Sequence, residues 1–339
     1  MQEPQDNGRK ARRSRRDGDR LGGGAAIVGL AASSLALLAG GSPATTQRKA
    51  PAQATLMPPP DREEEKGPQW DLTVTDHERV DFFVEFLMGR NHDKTRLWLE
   101  RMGTYGPMIQ NELAARGMPQ DLLYLCMIES GLNPNAYSRA AAAGLWQFIE
   151  ETGERYGLRV TRDLDERRDP VKATSAALTY LQEMYDRFGS WYLAAAGYNT
   201  GENRVGRLMR ERTGSERGSD DDYWLIWDAL PRETRDYVPL MLAMGHIAKE
   251  PGKYGFHGIE PLEPLQFDEV VVPGGTRIAD VARAAGADAD AVFGLNPHFV
   301  KKVTPAGASF AVRVPLGSAT QVAAAIAGAR DDGIQHIAD

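Results

Sequence analysis

From Asp71 to about His257 the apolar residues of this 339-residue chain recur three and four positions apart, the spacing of one face of an α-helix. Val80, Phe83, Val84 and Leu87 share such a face. A second helix is expected from Pro107, placed in its first turn, to Arg116, with Gly117 as its stop. Asp169-Pro170 opens another, a capping carboxylate followed by a proline whose fixed φ suits the first turn. Thr174, Leu178, Leu181, Tyr185 and Phe188 carry it on to Gly189. A shorter helix is expected from Trp191 towards Tyr198, and a long one from about Glu233 to Lys249. The fold class is therefore mainly α, with residues 71–260 forming one helical domain.

The pattern then changes. Val270-Val271-Val272 is a short β-branched run closed by Pro273-Gly274-Gly275. Ile278, Val281, Ala282 and Ala285 suit one short helix, and Ala291 to Leu295 another; Phe310, Val312 and Val314 alternate as a strand does. Residues 266–317 thus read as a small α+β domain. The Ala-rich residues 318–339 read as a tail, with the composition of a frayed helix.

Upstream, residues 45–70 are rich in Pro, Ala, Gln and charge and read as a linker. Residues 1–44 have the layout of a signal peptide. Arg9 to Arg20 are basic, Ala25 to Ala39 are apolar and small, and Gly41-Ser42-Pro43-Ala44 suits cleavage. The apolar run is short for a membrane span, so if it is retained it makes only a weak inner-membrane anchor. Export to the periplasm is the expectation.

Several chemistries lack their residues. A net charge of -7 argues against a protein that coats nucleic acid. The single cysteine, Cys126, allows no internal disulfide, and its apolar neighbours make it a buried hydrophobe. The six histidines show no ligand spacing, and no phosphate-binding or dinucleotide loop is present. No metal and no cofactor is expected.

The sharpest local feature is Glu129. In a helix, Leu122, Leu125, Cys126 and Glu129 share one face, so a carboxylate projects from an apolar stripe just before Gly131. Burial and the negative end of the helix dipole both raise its pKa, as a general acid at neutral pH requires. On spacing alone, a glutamate reaching solvent from a frayed helix end is an equally good reading. Trp146 in Gly144-Leu145-Trp146-Gln147 offers a ring face for a sugar, and Gln147 offers a donor and an acceptor, although a Trp in such a place is more often core. Tyr198-Asn199 end a helix before Gly201, where capping is the default role.

Taken in order, Glu129-Ser130, Gly144-Leu145-Trp146-Gln147, Tyr198-Asn199 and Glu233-Thr234-Arg235-Asp236-Tyr237-Val238 resemble the motifs of the lytic transglycosylases, goose-lysozyme-like enzymes. The likeness is greatest to their membrane-bound D-type branch and spans roughly Asp71 to His257. It implies a lysozyme-like helical domain that cleaves the β-1,4 bond between N-acetylmuramic acid and N-acetylglucosamine in peptidoglycan without water. By the same resemblance Glu129 is the acid and then the base, and Ser130 supports it. Trp146, Gln147, Tyr198 and Asn199 line the glycan groove, and Tyr237 points at the catalytic carboxyl. Gly197 departs from the Ala common in such enzymes, which touches helix packing rather than chemistry. Glu150, Glu151 and Glu202 are the candidates for a second acid, and solvated charge is the favoured reading of each.

The segment from Val272-Pro273-Gly274-Gly275-Thr276 through Leu295-Asn296-Pro297 to Val312-Arg313-Val314 resembles a degenerate LysM carbohydrate-binding repeat. D-type enzymes are typically lipoproteins, yet Gly41 stands where the lipidated cysteine would be, so a lipid anchor has no support. The alternatives are a hydrolytic muramidase on the same fold and a wall-binding protein that holds glycan without cutting it.

Overall fold

The computed structural model describes residues 68–335. The signal-like residues 1–44, the linker up to residue 67 and the end of the tail, 336–339, lie outside the described residues. The helical body runs α1 (Glu78–Met88), α2 (His92–Ala115), α3 (Leu123–Ser130), α4 (Glu150–Arg155), α5 (Pro170–Phe188), α6 (Trp191–Thr200), α7 (Glu202–Thr213), α8 (Asp220–Ile226) and α9 (Arg232–Lys249). A smaller unit follows, with β1 (Asp268–Val272), α10 (Ile278–Ala285), α11 (Ala289–Leu295), β2 (Phe310–Val314) and α12 (Ala319–Gln335).

Local chemistry sets the ends of these helices. Asp169 accepts hydrogen bonds from the amides of Val171 and Lys172, Pro170 fills the first turn of α5, and Gly189 closes it at φ +77°. Ser190 caps α6 through the amide of Leu193. Pro107 does not start a helix. It sits inside α2, which begins fifteen residues earlier, at His92, because Thr95, Leu99, Gly106, Ile109 and Leu113 keep one buried face across it. The proline removes one rung, to the carbonyl of Gly103. The chain from 256 to 265 lies along this helix, and the amides of Leu262 and Leu265 donate to the carbonyls of Glu100 and Thr104 at 2.9 and 3.0 Å. Gly103 permits the approach, since a Cβ there would lie 2.2 Å from the Leu262 carbonyl oxygen.

The core is centred on α6, whose residues Tyr192 to Asn199 are all buried, with α5, α7 and α9 packed around it. Helix α9 also packs on α1 and α3, which brings Tyr237 opposite Glu129. Trp70, at the end of the expected linker, belongs to this body. Its ring meets Tyr124 and His246, and the Lys249 ammonium donates to the Gln69 carbonyl at 2.7 Å.

In the smaller unit β1 and β2 pair antiparallel, Val270 opposite Val312. Val272, Val281, Val292, Val312 and Val314 are fully buried in a core of its own. The tail is not separate from it: Val322 of α12 is buried in the same core, and Gln321 donates to the Ala284 carbonyl, so the boundary expected at 317 falls too early. The small unit is seated on the helical body. Leu164, from the loop before α5, is 3% exposed in its core, the Asp165 amide donates to the His298 carbonyl at 2.9 Å, and the Val300 amide to that of Asp163 at 3.1 Å.

Candidate active site

Helix α3 carries the central residue. Leu123 to Glu129 are all buried, and the helix stops at Gly131, φ +61°, where a Cβ would lie 2.0 Å from the Trp98 indole nitrogen. Glu129 is 1% exposed. The Tyr237 hydroxyl donates to its Oε1 at 2.5 Å, and Oε2 has no hydrogen-bond partner in the protein. Burial pushes the carboxyl well above the usual carboxylate range, the Tyr237 bond pulls the other way, and the charge of Glu233 adds to the rise. Burial thus favours the neutral form of Glu129, and its second oxygen is left buried without a protein partner.

The other residues expected at the site are fixed by bonds of their own. Ser130 Oγ donates to the Leu145 carbonyl at 2.8 Å and accepts from the Asn133 amide at 3.2 Å, tying the end of α3 to the loop from Ala136 to Phe148. That loop is tightly drawn. Gly144 has φ +84°, and a Cβ on it would lie 1.7 Å from the Arg167 carbonyl oxygen. Gln147, itself at φ +50°, turns its side-chain amide onto the Gly144 carbonyl at 2.9 Å. The Tyr198 hydroxyl donates to the Trp146 carbonyl at 2.8 Å. Asn199 Oδ1 accepts from the Thr234 hydroxyl at 2.7 Å, and its buried Nδ2 has no protein partner.

Trp146 requires a correction. It has no exposed surface, and its indole N–H donates to Thr174 Oγ1 at 2.9 Å, so no ring face is offered to a sugar. Its size is the cause, since burying a side chain of that area stabilises the fold more than any surface placement. Gln147 and Tyr198 are 2% and 1% exposed, so both fix the loop from within rather than line an open groove.

Of the three candidates for a second acid, each read in the sequence as solvated charge, two are exposed and Glu202 is buried. Glu150 and Glu151 are exposed in the first turn of α4, while Glu202 is bound by Arg155 at 3.1 Å, which helps to hold its carboxyl low. Glu233, one turn before Tyr237 on α9, is the carboxyl whose charge adds to the rise in the Glu129 pKa, and its buried Oε1 lacks a protein partner. Its four-residue spacing from Tyr237 was the available sequence signal. Among the described residues no cluster of three His, Cys, Asp or Glu side chains is arranged to hold a metal ion.

Residues 106–219 match the Transglycosylase SLT domain. The matched stretch contains Glu129, the Gly144 loop, Tyr198 and Asn199, and ends before Glu233 and Tyr237. Membrane-bound lytic murein transglycosylase D of Escherichia coli (strain K12) is 35% identical over 236 residues, 69% of this chain and 51% of that protein. The chain thus spans about half the length of that curated relative. Peptidoglycan transglycosylase gp16 of Escherichia phage T7 is 36% identical over 110 residues, 32% of this chain and 8% of that one. The crystal structure of the 70 kDa soluble lytic transglycosylase from Escherichia coli overlaps 51% of this chain and 30% of its own, at 21% identity and a TM-score of 0.37.

Proposed function

We propose that this protein is a lytic transglycosylase that cleaves the glycan strands of peptidoglycan at the bond between N-acetylmuramic acid and N-acetylglucosamine. The observation that carries the reading is Glu129, a carboxyl wholly buried at a helix end, bound on one oxygen by Tyr237 and free on the other. Glu129 donates its proton to the leaving glycosidic oxygen. The resulting carboxylate accepts the Tyr237 hydrogen bond, which strengthens as charge appears on it. It then takes the proton of the muramoyl C6 hydroxyl, whose oxygen closes on C1 to give a 1,6-anhydro end. One carboxyl serves as acid and then as base. In this reading Asn199, whose Nδ2 has no protein partner, and the loop supported by Ser130 belong to the sugar site.

A hydrolytic muramidase is the second reading, and Glu233 is the observation in its favour, because ordinary glycosidases use two carboxyls. The small β1–β2 unit, with its LysM-like sequence, grips glycan beside the catalytic body in this account. Export through the signal-like residues 1–44 places the enzyme in the periplasm, with peptidoglycan as its partner. Glu129→Gln is expected to lose the clearing of purified sacculi by at least about a thousandfold, while Glu150→Gln and Glu151→Gln keep it. Clearing at a substantial rate by the Glu129→Gln protein contradicts the assignment.

A further inference from the structure

The seat of the small unit on the helical body is polar, buried and continuous with the loop behind Glu129. Arg313 of β2 reaches out of its own unit and grips Asp169 with one guanidinium nitrogen, at 2.8 and 3.0 Å from the two carboxylate oxygens. Their side chains are 5% and 1% exposed. Asp169 is at the same time the cap of α5. The same loop carries Asp165, whose amide donates to the His298 carbonyl and whose carboxylate holds Arg167 at 2.8 and 2.9 Å. Arg167 in turn donates to the carbonyls of Ala141 and Phe148 at 2.9 and 3.1 Å, on either side of Gly144 in its loop. Gly144 itself is pressed against the Arg167 carbonyl, and Leu145 receives Ser130, the neighbour of Glu129.

We propose that Arg313 is a positioning residue for the proposed cleavage. Through Asp169 and the Asp165–Arg167 pair, the docked C-terminal unit holds the Gly144–Gln147 loop against the end of α3. The unit is then a structural part of the catalytic site and more than a wall anchor. The joint also contains His298, 5% exposed, with Nδ1 3.5 Å from Asp169 Oδ2 and no hydrogen-bond partner there. Burial, against the opposing charges of Asp169 and Glu166 and with the help of Arg313 and Lys172, brings its pKa down to about 4. Burial first, and the Arg313 charge with it, favour the neutral imidazole, so loss of Arg313 leaves the attraction of Asp169 less opposed and raises the His298 pKa.

The test is Arg313→Met in the full chain. Amide exchange is read at Ala143 and Gly144, which donate to Phe148 and Ala136, and turnover is read on purified uncrosslinked glycan strands. The expected result has three parts: exchange in that loop speeds up while α6 stays protected, kcat falls about tenfold or more with KM little changed, and the His298 NMR titration moves up. Wild-type exchange and wild-type kcat overturn the proposal. So does a KM effect alone, which is what a wall anchor gives, and so does faster exchange throughout the chain, α6 included. If the Met variant does not fold, Arg313→Gln carries the test, since it keeps a polar side chain and removes the cation that grips Asp169; unchanged loop exchange in it counts against the coupling. The rate readout rests on the proposed function, and the exchange readout does not. A wild-type protein that cuts no strand therefore removes that function and leaves the coupling to be decided by exchange alone.

Discussion

A single carboxyl carries the chemical argument, and its protonation ties activity to stability. In the folded chain the Glu129 pKa lies well above its ordinary value, because burial penalises the anion more than Tyr237 favours it. A group raised in this way contributes stability below its unfolded pKa, and the contribution is lost as pH rises from there through the folded value. Glu129→Gln, which keeps the shape and never ionises, is thus expected to be more stable than wild type at pH 7 to 8 by about 1–3 kcal/mol. The gain should shrink towards pH 4, and thermal melts across that range would check it. Melts that rise equally at both ends contradict an acid kept neutral by burial. Tyr237→Phe removes the bond that lowers the Glu129 pKa, so the alkaline limb of the pH–rate profile is expected to move up and the maximal rate to fall. A limb that moves down would mean that the hydroxyl does not serve the anion.

At the scale of elements the two informative residues are glycines. Gly144 combines φ +84° with an approach that would put a Cβ 1.7 Å from the backbone of Arg167, so Gly144→Ala is expected to cost about 3 kcal/mol or more, with loss of activity. Gly197, inside α6, differs. A Cβ there would meet Phe188 Cε2 at 3.0 Å and Met184 Sδ at 3.2 Å, both ends of side chains that can shift. Alanine also suits a helix better by about 1 kcal/mol, so Gly197→Ala should lie within about 1 kcal/mol of wild type. Denaturant unfolding of the two variants separates them, and a severe loss at Gly197 would show a rigid wall there.

Helices with a marked cap, such as the one opened by Asp169-Pro170, were legible in the sequence to within a residue or two. The start of α2 was not, because a proline that normally opens a helix sits within one whose buried face runs on past it. Periodicity placed Glu129 among apolar neighbours, and of the residues that the motif order named, Tyr237 is the one bonded to its carboxyl. The burial of Trp146 and the approach of Glu233 depend on contacts between distant segments, which neither spacing nor composition records.

Among the described residues the two units are packed against each other. The second core takes in Leu164 from the helical unit, and the Arg313–Asp169 pair closes the seam. Such a pair is worth little as a sum of attraction and desolvation, yet removing one partner strands a buried charge, so its value lies in fixing orientation. Among the described residues no helix is long and apolar enough to cross a membrane. The most direct measurement is mass spectrometry of the soluble fragments that the protein releases from purified peptidoglycan. The account predicts muropeptides with 1,6-anhydromuramoyl ends, each lighter by one water than its hydrolysed counterpart, and none from Glu129→Gln. Reducing ends instead would contradict the one-carboxyl mechanism and give Glu233 the part of the second acid.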